Sequence, residues 1–416
     1  MILLSSRIVL ALLSFTLLTS AQQQQQNKLK PIFDGKTLKG WTQCNGTAPY
    51  KIEPAGVLVG TTAEGSPNSF LCTDREYGDF ILELETKFDP RLNSGIQVRS
   101  HRYPADAEVL TFNGKQMVKR KHPTGRVYGY QVEISNAASG HSGGIYDEAR
   151  RGWLHNIEAD PTASKAIKDN EWNHYRIEAR GDRIRTWVNG VPCADLVDSM
   201  DLTGFIALQV HQFKGDSPAQ VRWRNVRLQD LGRHEWKSLF DGKTMNGWSK
   251  MGPGEWTISD GAFHAKSVAG ETATGFVVHD QNFTNATIKV DFQLTPTGDG
   301  NSGFFVRSDK KTHAGYEVEI DEKKGTGGLF EVGGRKWVTG PEDNAAMHTA
   351  PGQWNTLVAS THGDRIVFHL NGVKTLDLPN DAQGRKEGHI ALQVHNRRRT
   401  EVRFKNIAVL QPAGKK

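Results

Sequence analysis

Three short stretches of the sequence carry side chains able to serve as acid, base and anion binder: "NSGIQVRS" (93–100), "YQVEI" (130–134) and "LQVH" (208–211). Each alternates apolar and polar residues with the period of two that a β-strand imposes, so its polar members share one face. Ile96, Val98, Tyr130, Val132, Ile134, Leu208 and Val210 then point into a core. Asn93, Gln97, Arg99, Gln131, Glu133, Gln209 and His211 point the other way. A glutamate and a histidine can exchange protons with a substrate, and an arginine can hold an oxyanion. Glutamine and asparagine offer paired donors and acceptors, while Tyr146, Trp153 and Trp187 could give flat apolar platforms. That mixture suits a polyhydroxylated ligand. The plain alternative, for any one of these residues, is the wet side of a sheet.

A second set repeats the pattern: Asn301 and Arg307, then Glu317, Glu319 and Asp321, then Gln393 and His395. Its three carboxylates fall on one strand face with neighbours ~7 Å apart, which would also allow hydrolysis by a carboxylate pair. The first set has Gln131 and Ser135 where the second has Glu317 and Asp321, so the two are not equivalent.

The elements that must position these residues are themselves repeated. "FDGKTLKGW" (33–41) returns as "FDGKTMNGW" (240–248), "GYQVEI" (129–134) as "GYEVEI" (315–320), and "GGIY" (143–146) as "GGLF" (327–330). "WN…GDRI…NGV" and "ALQVH" also recur, in the same order. A duplicated domain follows, 28–231 and 235–411, with a short polar linker near Gly232. The spacing between copies falls from 208 at the NSG motif to 186 at the GYxVEI motif. The first copy therefore carries a 22-residue insertion within 101–128, holding Tyr103, Phe112 and the basic run at 119–121. A loop of that length reads as a lid or an intersubunit contact, with plain surface decoration as the alternative. Short β-branched and aromatic runs, turn dipeptides at Gly181-Asp182 and Asn189-Gly190, and the lack of amphipathic helices predict an all-β chain. Each repeat should form an antiparallel sandwich, with the FDGKT phrase a structural start.

Residues 1–21 read as a signal peptide: Arg7, an apolar run from Ile8 to Leu18, then Thr19, Ser20 and Ala21. Residues 22–27 read as a Gln-rich spacer. The expected product is secreted or periplasmic, with no stable membrane insertion, because no later segment approaches twenty apolar residues. The net charge of +6 is scattered, which argues against a nucleic-acid partner. One pair among Cys44, Cys72 and Cys193 could bridge, and the sequence does not fix which. Oligomeric state is left open.

Taken together, "FDGKTLxGW", "NSGIxxR", "GYxVxI", "GG-I/L-Y/F", "WN…GDRI…NG" and "LQxH" resemble the 3-keto-disaccharide hydrolase domain family, over nearly the whole chain and in two tandem copies. The resemblance implies a concanavalin-like jelly roll in each copy. It also implies cleavage of glycosides whose sugar is a ketone at carbon 3, by C2 deprotonation, elimination and water addition. On that basis Glu133 or His211 would act as base or acid and Arg99 would stabilise the enolate. Asn93, Gln131, Gln209, Tyr146 and Trp153 would bind the oligosaccharide or glycoside. Glu319, His395 and Arg307 would be the second catalytic set, with Asn301, Glu317, Asp321 and Gln393 around them. No cofactor is assigned, although His plus carboxylates would allow a divalent metal that polarises the ketone. The alternatives are a lectin-like protein without turnover and an ordinary glycoside hydrolase.

Overall fold

A computed structural model of the protein describes residues 28–113, 116–215, 218–323, 325–339 and 352–414. The expected signal peptide and Gln-rich spacer lie outside them. Each repeat is an antiparallel β-sandwich, and the chain is all-β with two tandem concanavalin-like jelly rolls.

In the first domain one sheet has seven strands: β1 Trp41–Cys44, β2 Ser69–Thr73, β3 Ser94–Arg102, β4 Val127–Ile134, β5 Ile145–Glu148, β6 Gly152–His155 and β7 Phe205–Val210. They lie in the order β1-β2-β7-β3-β4-β5-β6. The second domain has β8 Trp248–Met251, β9 Gly275–His279, β10 Asn301–Ser308, β11 Gly315–Asp321, β12 Leu329–Val332, β13 Lys336–Trp337 and β14 His389–Val394. Their order, β8-β9-β14-β10-β11-β12-β13, is the same strand for strand. An eight-stranded sheet backs each of these front sheets.

The cores follow the alternation. Ile96, Val98, Tyr130, Val132, Ile134, Leu208 and Val210 are fully buried and pack with Leu82, Leu84, Ile177, Ile184 and Trp223 of the back sheet. Burying each aliphatic side chain contributes roughly 1.5–3 kcal/mol. The second domain has a separate core with the same pattern. Asn189 and Gly190 both take positive φ (51° and 81°), the two-residue hairpin geometry that matches strand twist. In the FDGKT phrase Asp34 accepts the backbone N–H groups of Lys36 and Thr37 at 2.7 Å, and the Trp41 indole donates to Ile32 O at 2.8 Å. Asp241 and Trp248 repeat these bonds. The phrase closes a turn and anchors a tryptophan at the start of each sandwich.

The insertion forms a two-stranded sheet of its own, Ala107–Phe112 with Met117–His122. At its base Tyr103 stacks on His122 and Tyr128, with ring centroids 5.0 and 4.3 Å apart. The Phe112 side chain lies outside the described residues. The three cysteines are free thiols; Cys44 and Cys72 sit on adjacent strands β1 and β2.

Two expectations fail here. Arg99 and Arg307 do not point outward with their strand neighbours. Each takes a left-handed φ (47° and 51°) at a β-bulge facing β7 or β14, which turns its side chain away from the polar face. Arg99 is fully buried, donating to Gly78 O at 2.8 Å, Gly181 O at 2.7 Å and Asp79 Oδ1 at 3.0 Å. Arg307 likewise donates to the carbonyls of Arg385 and Gly363, both at 2.9 Å. Trp187 lies on the back sheet between Arg176 and Arg185, and so cannot be a platform for the front-sheet residues.

Candidate active site

In the first domain the outward positions of β3, β4, β5 and β7 build one polar floor. Gln131 stands opposite Gln97 on one side and Tyr146 on the other. Its carbonyl oxygen accepts from Gln97 Nε2 at 2.7 Å and Gln209 Nε2 at 2.8 Å. That fixes the amide, so its Nε2 donates to Glu133 Oε2 at 3.0 Å. Asn93 Nδ2 donates to the other carboxylate oxygen. The glycine of "NSG" makes this possible. A Cβ at Gly95, the residue opposite Glu133, would overlap the Gln131 side chain. Glu133 is only 5 % exposed, and loss of water pushes its carboxyl up to about 7 against the two amide bonds that favour the anion. Glu148 raises it further.

Glu148 was not anticipated from the sequence. It is two residues beyond Tyr146 on β5, hence on the same face, and the alternation rule applied to "IYDE" would have found it. It is buried, bonds to Arg126, and accepts from Asn68 Nδ2 at 3.4 Å. Burial raises its carboxyl, while Arg126 and then His211 draw it back down. His211 bonds through Nδ1 to Gln212 O at 2.7 Å, which makes Nδ1 the donor and leaves Nε2 as the nitrogen that can exchange a proton with a ligand. On the floor's edge Tyr146 and Trp153 meet edge to face at 5.4 Å, and His141 packs on Trp153 at 4.9 Å. The structure thus gathers Asn93, Gln131, Glu133, Gln209, His211, Tyr146 and Trp153, adds Glu148, Arg126 and Asn68, and removes Arg99.

The second domain keeps the plan and changes the chemistry. Glu317 replaces Gln131, Phe305 replaces Gln97, and Val332 stands where Glu148 would be. Asn301 Nδ2 bonds Glu319 and reaches Asp321 Oδ2 at 3.1 Å. Burial and then Asp321 push Glu319 up to about 7, against the Asn301 bond, and Glu317, enclosed beside Glu319 and Gln393, is driven well above the usual carboxylate range. Burial lowers the His395 imidazole, as do Arg398 and Arg397, and its Nδ1 is buried without a hydrogen-bond partner. Phe330 and Trp337 repeat the edge-to-face pair at 5.4 Å. Among the described residues no three His, Cys, Asp or Glu side chains group closely enough to hold a metal ion.

The family described as "3-keto-alpha-glucoside-1,2-lyase-like domain" matches residues 28–229 and again 235–410. The chain belongs to that family, as two tandem copies, and is a carbohydrate-active protein. No curated protein matches it. Among solved structures it is similar to two candidate glycosyl hydrolases of Parabacteroides distasonis. One is 16 % identical over 50 % of this chain and 96 % of that one, with a TM-score of 0.33. The other is 22 % identical over 49 % and 99 %, with a TM-score of 0.30. It is also similar to the carbohydrate-binding module CBM66 of Bacillus subtilis: 19 % identical over 46 % and 96 %, TM-score 0.27. At these values the solved structures add nothing to the family matches.

Proposed function

We propose that the first domain cleaves glycosides carrying a ketone at carbon 3, in an exported protein. A single feature carries this reading: Glu133, a desolvated carboxyl near neutrality, fixed by Asn93 and Gln131 beside the Glu148–Arg126 pair and His211. The 3-keto group acidifies the hydrogen on carbon 2. Glu133 takes that proton, and the electron pair delocalises as an enolate on the carbonyl oxygen, which Arg126 is placed to stabilise in place of Arg99. The enolate then re-forms the ketone, carbons 1 and 2 become doubly bonded, and the glycosidic oxygen leaves with the Nε2 proton of the His211 imidazolium. Water adds to carbon 1 of the resulting unsaturated ketone, giving a proton back to His211, and Glu133 returns its proton to carbon 2. The net reaction is hydrolysis.

Release of methyl 3-keto-glucoside's aglycone by the full chain tests the reading. E133Q is expected to lower kcat about 10³-fold, within the range for loss of a general base. Wild-type turnover by E133Q would remove Glu133 from the mechanism. Glycan binding with no product at any pH between about 6 and 9 would favour the lectin-like alternative.

A further inference from the structure

The front sheet of the second domain has exchanged neutral groups for carboxyls. Glu317 and Asp321 stand where the first domain has Gln131 and Ser135, beside the shared Glu319. Among the described residues neither Glu317 nor Glu319 has a cation as partner: Glu319 accepts from Asn301 Nδ2, and Glu317 accepts from the Gln393 side chain. Arg397 and Arg398 act on His395 but are engaged elsewhere, Arg397 Nε with Thr272 O at 3.2 Å and Arg398 with Asp299. Asp321 reaches Asn301 Nδ2 at 3.1 Å and accepts the Lys323 N–H at 2.7 Å.

What this group lacks is donors. Gln393 is only 5 % exposed, its amide nitrogen is spent on Glu317, and its Oε1 is buried with no hydrogen-bond partner. A buried acceptor without a donor is a cost that a ligand N–H would remove. Burial raises both glutamate carboxyls, and a cation beside them would draw them back down, as Arg126 does for Glu148. The same face offers a flat apolar wall. A Cβ on Gly325 would meet the Trp337 ring at 3.1 Å and Glu319 Cγ at 3.4 Å, so indole and carboxyl flank one spot. Phe330 braces the indole edge to face at 5.4 Å. Trp337, Asn301, Asp321 and His395 are half-buried, so the group keeps a side exposed to solvent.

We propose that the second domain binds a hexosamine, a sugar carrying a free ammonium, with the ammonium among Glu317, Glu319 and Asp321 and the apolar face of the ring against Trp337. An ammonium brings three donors and a positive charge to a set of acceptors. The pyranose ring lays its C–H groups on the indole and turns its hydroxyls to the polar rim. A neutral sugar supplies no charge, and an acetylated amine supplies one N–H and no charge. Nothing in this depends on the elimination chemistry assigned to the first domain.

Calorimetric titration of the full chain with glucosamine, N-acetylglucosamine and glucose tests it at pH ~6.5, where an amine of this kind is charged. The measurement needs no turnover, so its outcome is separate from that of the cleavage assay. Glucosamine is expected to bind about tenfold more tightly than either neutral sugar. E319Q and D321N should each cut that preference to about threefold or less, and W337A should weaken the binding of all three sugars. D321N alters a half-exposed side chain, so it reads the site even if E319Q fails to fold. Equal affinity for the three sugars, no binding of glucosamine, a preference that both carboxamide variants retain, or binding that W337A leaves unchanged overturns the proposal.

Discussion

Glu133 links catalysis and stability through one proton. Its carboxyl titrates at about 7 in the folded chain against 4.5 for the free side chain, so the folded state binds the proton more tightly than the unfolded state. Stability is therefore full below pH 4.5 and is lost as pH rises through about 7, by an amount on the order of 3 kcal/mol. Thermal unfolding of the first domain should show this fall, and E133Q should flatten it. A wild-type transition that is flat from pH 5 to 8 would mean the carboxyl is not desolvated in solution. Activity runs the opposite way: kcat/KM should rise through pH ~7 as the base ionises. E148Q leaves Arg126 without its carboxylate partner, and about a tenfold fall in kcat is expected, read from the same aglycone-release assay. The floor's glutamines and its first carboxylate were legible as alternation. Glu148 was equally legible but easily passed over, because it follows Asp147 and looks like one of two adjacent surface acids.

At the scale of strands, the period of two located the polar face and the duplicated order located both copies of it. It misplaced Arg99 and Arg307, because one left-handed residue at a bulge inverts a side chain without altering the sequence pattern. Trp187 was misplaced for another reason: a sandwich has two outer faces, and alternation does not say which sheet a strand joins. The caged arginine makes a prediction that separates structure from catalysis. R99A removes the buried cation that donates to Asp79 and to the Gly78 and Gly181 carbonyls, and should cost about 3–5 kcal/mol in denaturant unfolding. The protein that remains folded should keep its kcat. If R99A unfolds at the wild-type midpoint yet loses turnover, the arginine acts on substrate after all. G95A should act in the reverse manner, displacing Gln131 and lowering kcat with a smaller effect on stability.

Each of the two domains has its own core, its own turn-and-tryptophan start and its own front sheet, yet only the first has the Glu148–Arg126 pair. On the full chain, E133Q should abolish turnover of methyl 3-keto-glucoside while E319Q changes it less than about threefold. Equal losses from both would mean two working sites. Calorimetry should resolve two transitions, with E133Q shifting one and E319Q the other; a single merged transition moved by either change would show that the cores unfold together. The FDGKT turn has one more implication. Asp34 and Asp241 each cap their own backbone, and Trp41 and Trp248 each pin a carbonyl nine residues upstream in their own repeat. Neither starter borrows from its twin, so one copy can carry a valine where the other carries Glu148 without loosening the other's foundation.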